Sequence, residues 1–434
     1  MRIHLSSLGC KLNQSEMDSL AAQLARAGHQ IAASPGEADL CVFNTCAVTH
    51  VAAQKSRQAL RRLHRQNPKA RLVATGCYAE LSPSELQDLP GIQFLANNRD
   101  KAGLAALIGA EAAGYLSRPP SPDARDPIPG SGARTRALIK IQDGCDNACT
   151  YCIIHVARGP QHSRPAEQVL VEVQARLEAG HQEVVLTGVH IGAYGRDRAK
   201  SGMEPDLWAL VARILAETDL PRLRLSSIEP WDLPERALRL WQDPRLCPHL
   251  HLPLQSGADA VLRRMARRYT TAEFGALMHA ARQVIPDLAI TTDVIVGFPG
   301  ESEDEFAQSL AFVRAAGFAR VHVFPYSLRP GTPAAEMPGQ VPPQAKAERA
   351  RAMRAAAAEA DQAFRQQFVG RTMDVLWESS REGEGGTVWS GLTGNYLRVY
   401  AASSEDLANR LTAARLLSLP PSFGLICRLR RPNS

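Results

Sequence analysis

Short apolar runs alternate with helical stretches twice along this chain, and several of those runs end in cysteine or glycine. This rhythm is the strongest constraint on the fold, because strands separated by helices pair in parallel and bring their C-terminal ends to one edge. The first run has strand-like segments at 3–8, 40–43 and 71–74. A helix carrying Met17, Leu20, Ala21 and Leu24 at helical spacing and stopping at Gly28 follows the first, and a basic helix at 54–65 follows the second. The second run has strands at 137–141, 183–186, 222–226, 250–254, 289–295 and 320–324, with helices at 167–179, 207–217 and 303–316 among them; Ser302 and Glu305 form a capping-box start for the last. Six βα units predict a partial TIM-type (βα)6 barrel, with its site at the strand C-termini and a lateral opening suited to a large substrate.

A Pro-, Gly- and Ser-rich stretch at 116–133 reads as a linker. The Ala-, Arg- and Glu-rich stretch 345–367 reads as a helix. Beyond it the rhythm changes to short strands at 373–377, 387–389, 397–400 and 425–429, which predict a small antiparallel β-barrel. The expected α/β organisation is a parallel N-terminal domain at 1–115, the linker, a central barrel at 134–362 and a C-terminal barrel at 368–432.

No apolar run approaches the ~20 residues of a membrane span, and the start leads directly into strand-like sequence without a signal peptide, so a cytoplasmic location is expected. The net charge of +6 permits an acidic partner such as RNA without requiring one. Nine cysteines in a reducing compartment point to metal ligands or catalysts, and the odd count argues against a fully paired disulfide framework.

Three cysteines stand in Gly144-Cys145-Asp146-Asn147-Ala148-Cys149-Thr150-Tyr151-Cys152, after the first barrel strand. A structural zinc site normally takes four ligands, and so does a closed all-cysteine iron–sulfur cluster. Three thiolates leave one iron free for a substrate. The motif, with an aromatic before its last cysteine, resembles the signature of the radical S-adenosylmethionine superfamily. That resemblance implies a four-iron cluster whose open iron chelates the methionine moiety and whose electron cleaves the cofactor to a 5′-deoxyadenosyl radical. It makes Cys145, Cys149 and Cys152 catalytic and places Tyr151 beside the adenine, a core aromatic being the alternative. Further cofactor contacts are implied at strand ends: Gly188 in Leu186-Thr187-Gly188-Val189-His190, Glu229 after the third strand, Gln255 and Ser256 after the fourth, and Asp293 on the fifth.

Cys10, Cys46 and Cys77 are separated by 35 and 30 residues, yet each follows a predicted strand. Parallel strand ends share an edge, so these thiols are expected to converge there. Cys41, Cys247 and Cys427 read as buried cysteines. The stretches Leu8-Gly9-Cys10-Lys11-Leu12-Asn13-Gln14, Asn44-Thr45-Cys46-Ala47-Val48-Thr49 and Thr75-Gly76-Cys77-Tyr78 resemble the cluster-ligand sites of the methylthiotransferase family. Lys55-Ser56-Arg57-Gln58, Lys140-Ile141-Gln142-Asp143-Gly144-Cys145 and Val323-Phe324-Pro325-Tyr326-Ser327 are most similar to its MtaB-type branch. His155 stands where that branch usually carries proline.

The resemblance implies two [4Fe-4S] clusters and two S-adenosylmethionine molecules per reaction, which adds a methylthio group to C2 of N6-threonylcarbamoyladenosine at position 37 of tRNAs reading ANN codons. C2 is an unactivated C–H position beyond the reach of acid–base or nucleophilic chemistry. The implied partners are a tRNA anticodon stem-loop, an electron donor of flavodoxin or ferredoxin type and a sulfur donor, with no membrane. Residues from about 370 resemble a TRAM RNA-binding domain, in which Tyr396 and Arg398 are candidates for base stacking and phosphate contact, Tyr396 alternatively packing that barrel. Competing expectations are the branches acting on an isopentenylated adenosine or a ribosomal-protein aspartate, and a non-catalytic iron–sulfur RNA-binding protein.

Overall fold

A computed structural model describes residues 1–113, 135–198, 206–383, 386–420 and 424–429; the expected linker 116–133 lies outside them. The first segment is a five-stranded parallel sheet in the order β2-β1-β3-β4-β5, built from Arg2–Ser7 (β1), Gln30–Ile31 (β2), Leu40–Thr45 (β3), Arg71–Gly76 (β4) and Ile92–Ala96 (β5). Alternate residues of β3 face opposite ways. Leu40 and Val42 join Met17, Leu20 and Leu24 of the helix Lys11–Arg26, whereas Cys41 and Phe43 join Leu60 and Leu63 of the helix His50–Gln66. A strand covered on both faces is apolar along its length, which explains why β3 is buried throughout.

The second segment is the six-stranded partial barrel. Its strands are Arg136–Lys140 (β6), Glu183–Thr187 (β9), Arg222–Leu225 (β10), His249–His251 (β11), Ala289–Val296 (β12) and Arg320–Pro325 (β13), with a short antiparallel pair, Gln142–Asp143 (β7) and His162–Ser163 (β8), set beside the first. Its two parallel sheets, β10-β9-β6 and β11-β12-β13, meet through the parallel bridges Leu223–Leu246 and Ser227–His251. The open edges are covered. The helix Lys11–Arg26 packs on β6, where Ser15 Oγ donates to the Leu138 carbonyl at 2.8 Å, and the helix Pro343–Gln366 packs on β13.

The third segment is a closed barrel in the order β14-β15-β16-β18-β17, from Thr372–Gly383 (β14), Gly386–Thr393 (β15), Arg398–Ala402 (β16), Leu411–Ser418 (β17) and Leu425–Leu429 (β18). It departs from the expectation in two ways. β17 adds a strand that the sequence hid, because only Ala414 and Leu416 of it are buried. The β16–β18 pair is parallel while the other pairs are antiparallel, since the chain crosses through β17 before returning beside β16.

The 392–396 loop of this barrel corks the N-terminal mouth of the central one. Arg222 and Arg224 donate to the carbonyls of Leu392 and Gly394 at 3.0 and 2.9 Å, and Arg224 is itself paired in full burial with Glu183. Tyr396, at φ +70°, stacks on His249 with ring centroids 4.8 Å apart, and its hydroxyl meets Arg136 at 3.1 Å. Tyr396 thus neither stands free to stack on a base nor packs its own barrel. Arg398 is paired with Glu378. Among the described residues no helix is long and apolar enough to cross a membrane.

Candidate functional site

The cysteines after β1, β3 and β4 converge as parallel strand ends require. Gly9 lies so close to Cys46 that a Cβ on it would stand 2.8 Å from the sulfur, and the thiol of Cys46 feels the charges of Cys77 and Cys10. Cys46 and Cys77 are buried and Cys10 is exposed. Ser56 fixes the Cys46 loop from the facing helix, accepting from the Cys46 N–H and donating to its carbonyl, both at 3.0 Å. Gly76 lets the β4 end pass over β3 at φ +98°, where a Cβ would lie 2.3 Å from Asn44 Oδ1 and 2.4 Å from the Thr45 carbonyl. Burial pushes the Cys46 thiol up to about 11.

The second triad sits on the loop leaving β7. Gly144 approaches the Pro160 carbonyl more closely than any side chain allows, and the Cys145 N–H donates to Gly159 at 3.1 Å, closing the loop. Cys145 Sγ lies 3.9 Å from His190 Nδ1, and His190 Nε2 lies 2.5 Å from the fully buried Asp232. Burial would lower the imidazole, but Asp232 and Cys145 reverse that and hold it at about 9. Cys149 Sγ takes an Arg267 N–H at 3.5 Å; Arg267 is paired with Glu229 and stacked over Trp231 at 4.8 Å. Burial raises the Cys149 thiol and pushes Cys152 up to about 12. A cation bound to such sulfurs would hold them as thiolates. Zinc thiolates lie about 2.3 Å from their ion, so no two are more than ~4.6 Å apart. Among the described residues no group of three or more His, Cys, Asp or Glu side chains is gathered to hold a single ion. Three cysteines at each site could ligate three irons of a four-iron cluster.

The other expected residues ring the same strand ends. Tyr151 meets Phe298 edge-on at 6.5 Å and packs beside the small core of Ala258, Val261 and Met265. Gly188 admits the Gln142 carbonyl, which would be 2.8 Å from a Cβ. Glu229 is occupied by Arg267. Gln255, at φ +62°, is held in the ladder by bonds from its N–H to the Asp293 carbonyl and from the Ile295 N–H to its own carbonyl, both 2.8 Å. Ser256 is buried and its hydroxyl accepts from the Ala258 N–H at 3.3 Å. Asp293 lies 3.4 Å from His251. His155 falls in the first turn of the short helix Ile154–Arg158, a turn that also accommodates proline.

Sequence reasoning missed the charge network joining the two loops. Arg158, six residues after Cys152, donates to Glu16 and Asp143, both at 2.9 Å, and to Asn13 Oδ1 at 2.7 Å. Asn13 is 3.8 Å from Cys10 Sγ and donates to the carbonyls of Leu8 and Thr45, while Asp143 accepts from the Gly144 N–H. Lys101 and Lys140 complete the set around Glu16 at 2.5 and 3.1 Å. Burial opposes ionisation of Glu16, but Arg158 and the two lysines hold its carboxyl well below the usual range. No spacing rule announces such contacts, since Glu16 and Arg158 are far apart in sequence.

Comparisons with known proteins agree with this geometry. Residues 2–96 match the uncharacterised protein family UPF0004, and residues 139–313 match the radical SAM superfamily. A threonylcarbamoyladenosine tRNA methylthiotransferase MtaB from Bacillus subtilis is 35% identical over 95% of this chain and 92% of its own. A tRNA-2-methylthio-N(6)-dimethylallyladenosine synthase from Sorangium cellulosum is 36% identical over 91% and 86%. The radical S-adenosylmethionine methyltransferase TsrM from Kitasatospora setae, solved with cobalamin and a [4Fe-4S] cluster, superposes over 77% of each chain with a TM-score of 0.58 at 15% identity, a likeness of fold. The chain belongs to the radical SAM methylthiotransferases and, within them, to the MtaB type.

Proposed function

We propose that the protein methylthiolates C2 of N6-threonylcarbamoyladenosine at position 37 of tRNAs that read ANN codons. In this reading Cys10, Cys46 and Cys77 hold one [4Fe-4S] cluster and Cys145, Cys149 and Cys152 another. Two molecules of S-adenosylmethionine are consumed, one to methylate the sulfur and one to be cleaved, with electrons and sulfur supplied from outside. The segments 1–115, 134–362 and 368–432 then carry the sulfur side, the radical side and an RNA-binding barrel. S-adenosylmethionine on a three-cysteine cluster supplies a carbon radical able to take hydrogen from an unactivated C–H bond.

The observation that carries the reading is the pairing of two three-cysteine sites at the strand ends of two adjoining sheets, tied by one buried network through Asn13, Glu16, Asp143 and Arg158. Sulfur transfer to a base radical needs the two sites at a fixed separation, because misplacement by even an ångström is costly. Arg158, buried and paired with both Glu16 and Asp143 at 2.9 Å, ties the two loops together. Around the cofactor, Tyr151, Gly188, Glu229, Gln255, Ser256 and Asp293 are proposed contacts. Of these Gly188 admits close backbone approach, and Glu229 holds Arg267 against Cys149. Tyr396 stands at the far end of the barrel, stacked on His249 at the base of the cavity.

Relatives of the MtaB and of the dimethylallyl kind match this chain at 35% and 36% identity, and the nucleosides in their names differ. Mass spectrometry of tRNA nucleosides from cells lacking the gene separates them. The 2-methylthio derivative of threonylcarbamoyladenosine should vanish while its precursor accumulates. Persistence of that derivative in a strain with no second enzyme of the type, or loss of the isopentenyl derivative instead, would overturn the assignment.

A further inference from the structure

A cavity of about 380 Å³ runs from Cys10 and Gly188 down to the ring of Tyr396. It lies between the start of the helix Lys11–Arg26 on one side and Arg320 and His322 of β13 on the other, at the low end of ligand-sized volumes, ~300–1,000 Å³. It therefore touches a ligand of one cysteine triad and the strand end beside the other.

Unpartnered polar groups stand in its lining. Ser226 Oγ and His249 Nδ1 are buried without a hydrogen-bond partner, and both residues line the space. Ser226 is 8% exposed and His249 3%. Leaving such groups unmet costs free energy, so a polar occupant is implied. Two cations border the same space. Lys11 lies 5.6 Å from the Tyr396 ring centroid, and among the described residues neither Lys11 nor Arg320 is paired with a carboxylate. The facing acid, Asp293, is taken up by His251 at 3.4 Å, and Glu183 at the barrel floor by Arg224.

We propose that this cavity receives the N6 substituent of the substrate adenosine and selects one that bears a carboxylate, Arg320 and Lys11 pairing with the carboxylate and Ser226 and His249 hydrogen-bonding the polar atoms before it. The proposal rests on the reading that the substrate is a threonylcarbamoylated adenosine, and it supplies the physical reason for that choice. An isopentenyl group, smaller and wholly apolar, would strand two cations and two buried polar atoms without a partner.

The test uses the reconstituted two-cluster enzyme and three anticodon stem-loop RNAs that differ only in one nucleoside: threonylcarbamoyladenosine, its neutral carboxamide, and isopentenyladenosine. The wild type should bind the acid about tenfold more tightly than the amide, the value of one charge-assisted hydrogen bond. Arg320→Gln should diminish that ratio, Arg320→Gln combined with Lys11→Gln should bring it near one, and Arg320→Lys should restore most of the loss. The iron content of each variant reports that the chain is folded. Equal binding of acid and amide by the wild type, or an undiminished ratio in Arg320→Gln, overturns the cavity assignment. The parent reading fails separately, if turnover places the methylthio group on the isopentenyl RNA and not on the threonylcarbamoyl RNA. Methylthiolation of the threonylcarbamoyl RNA alongside equal binding of acid and amide would sink the cavity assignment alone.

Discussion

The two cysteine triads are held by different means. Cys145, Cys149 and Cys152 share one loop, whose shape is set within a few residues by Gly144 against Pro160 and by the Cys145 bond to Gly159. Cys10, Cys46 and Cys77 come from three strand ends, and what brings them together is the register of β1, β3 and β4. The loop triad has a cationic environment close by, with Arg267 on Cys149 and His190 on Cys145. The sheet triad is served from farther away, Arg158 and Lys101 feeling the charge of Cys77. A loop-borne site tolerates change elsewhere in the fold. A sheet-borne site inherits every disturbance of the sheet.

The sharpest way to break this comparison is to empty each site in turn. Alanine at Cys145, Cys149 and Cys152 should halve an iron load of about eight per chain and abolish cleavage of S-adenosylmethionine. Alanine at Cys10, Cys46 and Cys77 should halve the iron equally yet leave cleavage to 5′-deoxyadenosine measurable by chromatography. Loss of cleavage in both would show that the sites are not separable. Next in size, Gly76→Ala forces a Cβ into Asn44 and the Thr45 carbonyl at a left-handed φ. It should cost about 3–5 kcal/mol in denaturant unfolding and empty the sheet triad alone, as read by iron analysis. An intact iron load would mean that strand register does not govern that site. The smallest effect is expected from Ser56→Ala, which removes one hydroxyl bridging the Cys46 N–H and carbonyl. A loss of about 1–2 kcal/mol with weaker iron retention on mild chelation would confirm that the helix His50–Gln66 steadies this loop.

The same contrast explains what could be read from the chain. The loop triad is legible from spacing, because its cysteines are neighbours in sequence. The sheet triad is legible from the strand before each cysteine, since β3 and β4 carry short apolar runs and β1 alternates Ile3 and Leu5 with polar residues. The partners of these cysteines are not. Asp232 reaches His190, Arg267 reaches Glu229 and Cys149, and Glu16 reaches Arg158 only once the barrel has closed. Tyr396 is the clearest case. Its composition suits an RNA-facing surface, and only the docking of one barrel on another turns it inward.

That docking has a consequence for how the protein can be taken apart. The chamber beside Cys10 is walled at its base by Tyr396, lent from the last domain and seated where Arg222 and Arg224 hold the 392–394 carbonyls. Trimming the chain at residue 368 would therefore do more than remove a β-barrel. It would unroof a buried ion pair, Glu183 with Arg224, and leave the chamber leaking solvent from below.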